Sequence, residues 1–338
     1  MLDFGVTFMP DPPVQTFVDR VARAEQLGFG YAWTYDSHIL WQEGYVFLTL
    51  AAAATSRIKL GHCVTNPGIR EPTVTASAYA TLQDVSRGRM VMGIGRGDSS
   101  RRVVGLQPVP VKEFEAALEM IKDLMNGHEV RWNGQTLHLD WAEGQPEIPM
   151  YVAGYGPRAL SVAGRVGDGV VIQLADLEIT RWIIERCRNA AVEAGRDIDA
   201  LAPMVCAPAV VDSDLPRWRE ETRWFPAMVS NHVKDLIARY GTNGEIPTAL
   251  TDFAQAVEEY DYHDHSRVGA EHGKYISDEI VDRFCILGDV EEHVAKLREL
   301  EQLGVRQVNL YLMTSSIDET LERYGKDIIP QFHPTAVP

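Results

Sequence analysis

The side chains best suited to chemistry near the start of the chain directly follow a short apolar run. Residues 30–35 combine apolar and aromatic side chains, which favours a β-strand, and Asp36, Ser37 and His38 come next. An imidazole titrates near neutrality and suits proton transfer or hydrogen bonding to a ligand. A structural hydrogen bond at the strand end is the alternative for His38, and capping of the following turn is the alternative for Asp36. We expect both residues to belong to a ligand site.

Two further apolar runs end in small or polar residues. One run exits into Cys63-Val64-Thr65-Asn66, and the other into Gly95-Arg96-Gly97-Asp98. Glycines at a strand exit let a flat ligand approach the backbone. The glycines also resemble half of a dinucleotide fingerprint, but the next clear helix begins only near Val111, which argues against a Rossmann fold.

A third run exits into the turn Ala153-Gly154-Tyr155-Gly156, and Pro157 then stands at a favoured first position of a helix. Free amides at a helix N-terminus attract anions, so this turn is either a phosphate site or a simple connection. The residues alone favour neither alternative.

Apolar strands and amphipathic helices alternate along the chain, which predicts βα units around a parallel sheet. Three helical stripes end at Gly28, Gly127 and Gly304, and Asn133-Gly134 predicts a β-hairpin. Eight strands are the number that closes a barrel, so we predict an α/β fold of the (β/α)8 TIM-barrel class in a single domain over 1–338. The predicted strands are Asp3–Phe8, Gly30–Tyr35, Arg57–Val64, Met90–Gly95, Pro149–Ala153, Asp168–Gln173, Leu201–Val211 and Val308–Met313.

The segment 212–282 interrupts this alternation and is predicted to be an insertion after the seventh strand that caps the barrel mouth. It holds two helical stretches, Trp218–Tyr240 and Ala249–Tyr260, followed by a polar run. His263, His265 and neighbouring acids in that run could suggest a metal-dependent hydrolase. Such enzymes place ligands at several strand exits, so we expect a mobile lid and no metal site.

Composition restricts the partners of the protein. The formal net charge of -16 disfavours nucleic acid and anionic membrane, and no apolar run is long enough for a membrane span. The longest apolar run, Val46 to Ala54, predicts a buried helix. Four scattered cysteines and the absence of a signal-peptide pattern predict reduced thiols in a cytoplasmic protein.

The motifs, in their order, resemble those of a known superfamily. The stretch Leu48 to Asp98, with Val64-Thr65-Asn66-Pro67, Ala80-Thr81-Leu82 and Gly93 to Asp98, is similar to bacterial-luciferase-like proteins. The likeness is greatest to the deazaflavin-dependent branch around methylenetetrahydromethanopterin reductase. It covers most of residues 1–210 and returns at 283–313. It implies a (β/α)8 barrel that binds coenzyme F420, or alternatively flavin mononucleotide (FMN), at the strand exits.

The resemblance also implies roles for individual residues. Asp36 matches an acid at the cofactor ring, and Cys63-Val64 matches a pair joined by a cis peptide that supports the ring. Asp98 stands where many relatives have glutamate; with His38 and Asp36 it is expected to serve catalysis. Apart from the resemblance, we place Trp41 and Glu43 near the substrate; plain packing is the alternative for Trp41, and a solvent-facing position is the alternative for Glu43. The expected cofactor-binding residues are Asp36, Cys63, Val64, Thr65, Asn66, Arg96, Gly97, Ala153, Gly154, Tyr155, Gly156, Gln173 and Arg283, the last pairing with the phosphate or acidic tail.

These observations predict an oxidoreductase that transfers a hydride between coenzyme F420 and a small organic substrate. An FMN-dependent monooxygenase that receives reduced flavin from a partner reductase is the alternative. A non-catalytic flavin-binding protein is a more distant one. The resemblance further implies a homodimer with helices of the first units at its interface.

Overall fold

Eight parallel strands form the wall of a barrel in the computed structural model, which describes residues 1–230, 233 and 276–333. The strands of the described residues are β1 (Asp3–Thr7), β2 (Tyr31–Thr34), β3 (Lys59–His62), β4 (Met92–Ile94), β5 (Val130–Trp132), β6 (Gln135–Leu137), β7 (Met150–Ala153), β8 (Gly169–Ile172), β9 (Ala202–Val211), β10 (Ile286–Gly288) and β11 (Gln307–Tyr311).

The strand order is β3-β2-β1-β11-β9-β8-β7-β4, and every pair in it is parallel. Two isolated bridges, Leu60 to Met90 and Thr65 to Ile94, close the seam between β3 and β4. A Cβ on Gly61 would overlap the Val91 carbonyl oxygen, and a Cβ on Gly93 would overlap that of His62. Glycine at these two positions therefore permits the close approach that completes the barrel.

Helices cover the outside of the barrel and carry the chain back to the start of each next strand. The described helices are α1 (Val14–Gln26), α2 (Gly44–Ala54), α3 (Pro72–Ser86), α4 (Asp98–Arg102), α5 (Val111–Met125), α6 (Pro157–Val166), α7 (Leu177–Glu193), α8 (Leu215–Thr222), α9 (Asp278–Phe284), α10 (Val290–Gln302), α11 (Ile317–Arg323) and α12 (Ile329–Phe332), with a π-helical turn at Tyr324–Ile328 and 3-10 turns at Asp140–Ala142 and Ile198–Ala200. None of them is both long and apolar enough to cross a membrane.

Most predicted elements are confirmed. The three helical stripes correspond to α1, α5 and α10, and the Asn133-Gly134 hairpin joins β5 and β6 with positive φ at both turn residues. The four cysteines are free thiols, and all are buried. Strand ends differ from the predicted bounds by one or two residues at most positions, because pairing with both neighbours stops before the apolar run does.

Several local predictions need correction. The helix predicted over Trp218–Tyr240 begins earlier, at Leu215, and breaks at Arg223 before a helical segment at 224–230. Pro226 explains the break, because its ring would clash with the carbonyl of Thr222 in a continuous helix. The rest of that prediction and the predicted helix Ala249–Tyr260 lie outside the described residues. Helix α4 and strand β10 are short elements that the sequence pattern did not indicate.

The helix predicted to be buried, α2, has one exposed face. Val46 and Leu50 are 53% and 42% exposed, whereas Phe47 and Leu48 pack into the core. An all-apolar run carries no periodicity, and so it could not reveal which side of the helix faces solvent.

Candidate active site

The carboxyl ends of the barrel strands surround one cleft. Its described lining gathers residues that the sequence analysis had placed at four separate strand exits, as expected for the functional face of such a barrel. The lining comprises Tyr35, Asp36, Ser37, Trp41, Cys63, Val64, Thr65, Asn66, Gly95, Arg96, Gly97, Asp98, Ser99, Ser100, Pro108, Val111, Ala153, Gly154, Tyr155, Gly156, Ala159, Gln173 and Met228.

Asp36, at the exit of β2, is buried, and other side chains hold its carboxylate. Thr65 Oγ1 donates to Asp36 Oδ2 at 2.7 Å, and Arg70 Nη1 donates to Oδ2 at 2.8 Å and to Oδ1 at 3.1 Å. Because its single hydroxyl proton goes to Asp36, Thr65 must accept at its oxygen from Tyr45, 3.3 Å away. Asp36 is thus a fixed acceptor at the wall of the cleft.

The two phenols and the imidazole that lie behind Asp36 are neutral. Burial raises the pKa of Tyr45, which keeps this phenol protonated, and it raises the pKa of Tyr79 as well. His62 packs against the Tyr45 ring with centroids 4.4 Å apart, and its Nδ1 lies 2.8 Å from the Tyr79 hydroxyl. Burial lowers the pKa of His62 to about 4, so its imidazole is uncharged at neutral pH.

The cis peptide expected at the exit of β3 is present. The Cys63–Val64 peptide is cis, as the resemblance implied, and both residues line the cleft. Behind it, Cys63 Sγ lies 3.7 Å from the Tyr311 hydroxyl. Gln173 Nε2 donates to that hydroxyl at 3.0 Å, while Gln173 Oε1 accepts from Tyr155 at 2.8 Å. A hydrogen-bonded chain therefore connects two sides of the cleft.

The exit of β4 carries a second paired acid. Asp98 opens α4 and accepts from Arg102 Nε at 2.6 Å, and Arg96 Nε donates to the Val109 carbonyl at 2.6 Å. The amide of Asn66 donates to Ser100 Oγ at 3.0 Å, which attaches the β3 exit to α4. The short helix that the sequence pattern missed thus positions Asp98.

The turn after β7 leads into α6 as predicted. Gly156 is the N-cap residue, Pro157 occupies the first helical position, and no side chain caps this helix. Gly154, Tyr155 and Gly156 line the cleft, so the uncapped start of α6 opens onto it.

Three residues predicted for the site do not line the cleft. His38 follows the lining residue Ser37 but is itself exposed. Glu43 accepts from Arg70 Nη2 at 2.6 Å, beside Asp36. Arg283, in α9, donates to Asp176 Oδ2 at 2.6 Å and ties α9 to the start of α7.

Arg70 is the main residue that the sequence analysis missed. The available signal was indirect: an acid at the exit of a barrel strand needs a cation if it is buried, and Arg70 follows the next strand exit by only a few residues. Met228, in the segment 224–230, was also missed because nothing in its sequence surroundings marks it as lining the cleft.

Within 1–230, 233 and 276–333, no cluster of three or more potential metal ligands occurs. The acidic, histidine-containing run considered as a metal-site alternative lies outside these ranges.

Three comparisons with known proteins agree with this architecture. A sequence model described as luciferase-like monooxygenase matches residues 3–307. The 5,10-methylenetetrahydromethanopterin reductase of Archaeoglobus fulgidus is 31% identical over 343 residues, covering 98% of this chain and 99% of the relative. The F420-dependent glucose-6-phosphate dehydrogenase of Nakamurella multipartita is 27% identical over 332 residues, covering 93% and 91%. The coenzyme F420-dependent tetrahydromethanopterin reductase from Methanopyrus kandleri superposes with a TM-score of 0.77 at 26% identity, covering 98% and 99%.

Proposed function

The chain belongs to the luciferase-like monooxygenase family and is an enzyme of that family, and on this premise we propose that it transfers a hydride between coenzyme F420 and a small organic substrate. The observation that carries this proposal is the full-length likeness to a methylenetetrahydromethanopterin reductase, together with the strand-exit cleft. Two of the three reported relatives are named as dependent on F420.

The residues of the cleft fit a ring that carries a phosphorylated tail. Glycines 95 and 97 in the lining leave a surface with few side chains, which a planar ring can approach. The start of α6 lacks a side-chain cap, which leaves amides for a phosphate. Coenzyme F420, when bound, supplies or accepts the hydride at its deazaflavin ring.

We assign distinct roles to the predicted residues. Asp36 accepts a hydrogen bond from the ligand, since its carboxylate is held in place. Tyr155 and Gln173 form the opposite side of the cleft through their shared hydrogen bond. Arg102 holds the Asp98 carboxylate in place, and Asp98 forms a polar part of the cleft wall. His38 stands exposed beside the lining residue Ser37, where its imidazole faces solvent at the edge of the cleft.

The insertion after β9 is proposed to cover the substrate. Phe225 packs edge-on against Tyr311 with centroids 5.7 Å apart, and Met228 reaches the cleft lining. Apolar side chains at this position would exclude water from the reacting atoms. The described lining also includes Trp41, Pro108 and Val111, which favour an apolar portion of the substrate.

An FMN-dependent monooxygenase is the second candidate, because the family is named for monooxygenases. It would need reduced flavin from a partner reductase. Oxygen consumption that requires reduced FMN and not reduced F420 would favour this candidate.

We also propose a cytoplasmic homodimer. Helix α2 has no charged residue, and its Val46 and Leu50 are exposed, while α3, which packs against α2, exposes Val74 and Val85. An uncharged face of this kind is unusual on a chain with a net charge of -16, and a second copy would cover it. Light scattering of Leu50→Glu against the wild-type protein tests this, since a dimer through this face should dissociate.

Titration of the purified protein with F420 tests the proposed function. We expect saturable quenching or a spectral shift of deazaflavin fluorescence in the micromolar range or below, about 8 kcal/mol of binding free energy. Asp36→Asn keeps the shape of the side chain but removes its charge, and we expect roughly 30-fold weaker binding. Absence of F420 binding by the wild-type protein would contradict the proposal.

A further inference from the structure

Arg70 lies behind the cleft and joins two carboxylates. It does not line the cleft, and its side chain is 19% exposed. Nη1 faces both oxygens of Asp36, whereas Nη2 donates to both oxygens of Glu43 at 2.6 Å. This arrangement uses the forked, planar geometry of a guanidinium, which a lysine ammonium cannot reproduce.

The guanidinium is also fixed by an aromatic ring. Its Cζ lies 4.3 Å from the centroid of Tyr45, in cation–π contact. Tyr45 reaches Thr65, and Thr65 donates to Asp36, so the contacts form a closed circuit. The circuit joins the exit of β2, the start of α2, the exit of β3 and the loop before α3.

Charge explains why Asp36 needs this partner. Its carboxylate is buried, and a buried carboxylate is costly unless a cation and hydrogen bonds compensate it. Of the groups around it, Glu43 is an acid, and Tyr45, Tyr79 and His62 are neutral for the reasons given above. Arg70 supplies the positive charge.

We propose that Arg70 is a positioning residue that holds Asp36 as an oriented carboxylate for the cofactor ring. Asp36 then acts as a fixed hydrogen-bond acceptor and does not transfer protons during turnover, because Arg70 and Thr65 already engage its oxygens. This inference rests on the proposed use of coenzyme F420. It adds Arg70, which lies outside the cleft lining and acts through Asp36 inside it.

A double-mutant cycle on F420 affinity tests the proposal. We expect Arg70→Met to weaken F420 binding about 30-fold and Arg70→Lys about 10-fold, because lysine keeps the charge and loses the fork. In the Asp36→Asn background, Arg70→Met should weaken binding by no more than about twofold, since residues that act as one unit are not additive.

Arg196→Met is the matched control. Arg196 is also partly buried, with its side chain 27% exposed, and it donates to the carbonyls of Gly164 and Gly167 at the opposite end of the barrel. We expect a loss of thermal stability comparable with that of Arg70→Met, with F420 affinity within about twofold of wild type.

The outcomes separate the two proposals. Wild-type binding of F420 combined with unchanged affinity in both Arg70 variants would overturn the positioning role alone. Full additivity in the cycle would also overturn it, because Arg70 would then act independently of Asp36. If Arg70→Met does not fold, the same comparison is made between the single variant Arg70→Lys and the double variant Arg70→Lys/Asp36→Asn. No F420 binding by the wild-type protein would overturn both proposals.

Discussion

The two ends of the barrel use charged side chains in different ways. At the carboxyl end, Asp36 pairs with Arg70 and Asp98 pairs with Arg102, so side chains compensate one another around an open cleft. At the amino end, Arg89, Arg196 and Glu25 bind mainly the backbone. This difference separates residues that organise a ligand site from residues that hold the elements together.

Arg89 and Glu25 illustrate the amino end. Arg89 donates to the backbone carbonyls of Ala52 and Thr55 at the end of α2, of Ile58 before β3, and of Ser86 at the end of α3. Glu25 accepts from the backbone N–H groups of residues 56–58. Burial alone would raise the pKa of Glu25, but these donors hold it below its ordinary value. Such contacts satisfy the backbone hydrogen-bonding groups at helix and strand ends and leave no acceptor for a ligand.

The largest effect of a single substitution is expected from Arg89→Met. Several buried carbonyls lose their donor, so we expect the free energy of unfolding to fall by roughly 3 kcal/mol. F420 affinity, measured well below the melting temperature, should stay within about twofold of wild type because Arg89 lies at the amino end. Arg87→Met, at an exposed helix end, is the control and should change stability by less than about 0.5 kcal/mol. A large loss of affinity in Arg89→Met would remove the distinction between the two ends.

Acid should destabilise the protein through two buried histidines. Burial lowers the pKa of both His62, beside the cleft, and His293, in α10, to about 4. Between pH 6.5 and about 4 the unfolded chain binds protons that the folded chain excludes, so stability is full above pH 6.5 and is lost as pH falls. The loss should approach about 3 kcal/mol for each histidine.

Chemical unfolding of His62→Asn and His293→Gln at several pH values checks this expectation. Each variant should remove about half of the histidine-dependent change of the free energy of unfolding with pH. The double variant should remove nearly all of it, because the two sites are separate. A wild-type stability that stays constant from pH 7 to pH 4.5 would contradict it. Only His62→Asn should also alter F420 affinity, which sharpens the contrast between the cleft and the rest of the fold.

The smallest effect is expected from Gly154→Ala in the proposed phosphate turn. The new Cβ would lie 2.7 Å from Ala159 Cβ, so the start of α6 must shift. We expect F420 binding to weaken about tenfold, corresponding to about 1.4 kcal/mol, whereas a deazaflavin without the phosphorylated tail should bind within about twofold of wild type. Equal losses for both ligands would argue against a phosphate at this turn.

Local sequence patterns were sufficient for most of the fold. The apolar runs gave the eight barrel strands, glycines marked the ends of α1, α5 and α10, and Asn133-Gly134 gave the hairpin. These signals are reliable because strand alternation, helix termination and tight turns depend on neighbouring residues. Most residues predicted for the site line one cleft, because parallel strands of a barrel bring all their carboxyl ends to one face.

The sequence by itself determined the elements, the polar strand exits and the family that their order resembles. Only the tertiary structure decided which charges meet: Arg70 with Asp36 and Glu43, and Arg283 with Asp176 outside the cleft lining. It also decided that His38 is exposed and that one face of α2 reaches solvent. The physical reason is that these pairings join residues far apart along the chain, and burial makes each charge depend on a partner that only barrel closure brings within reach.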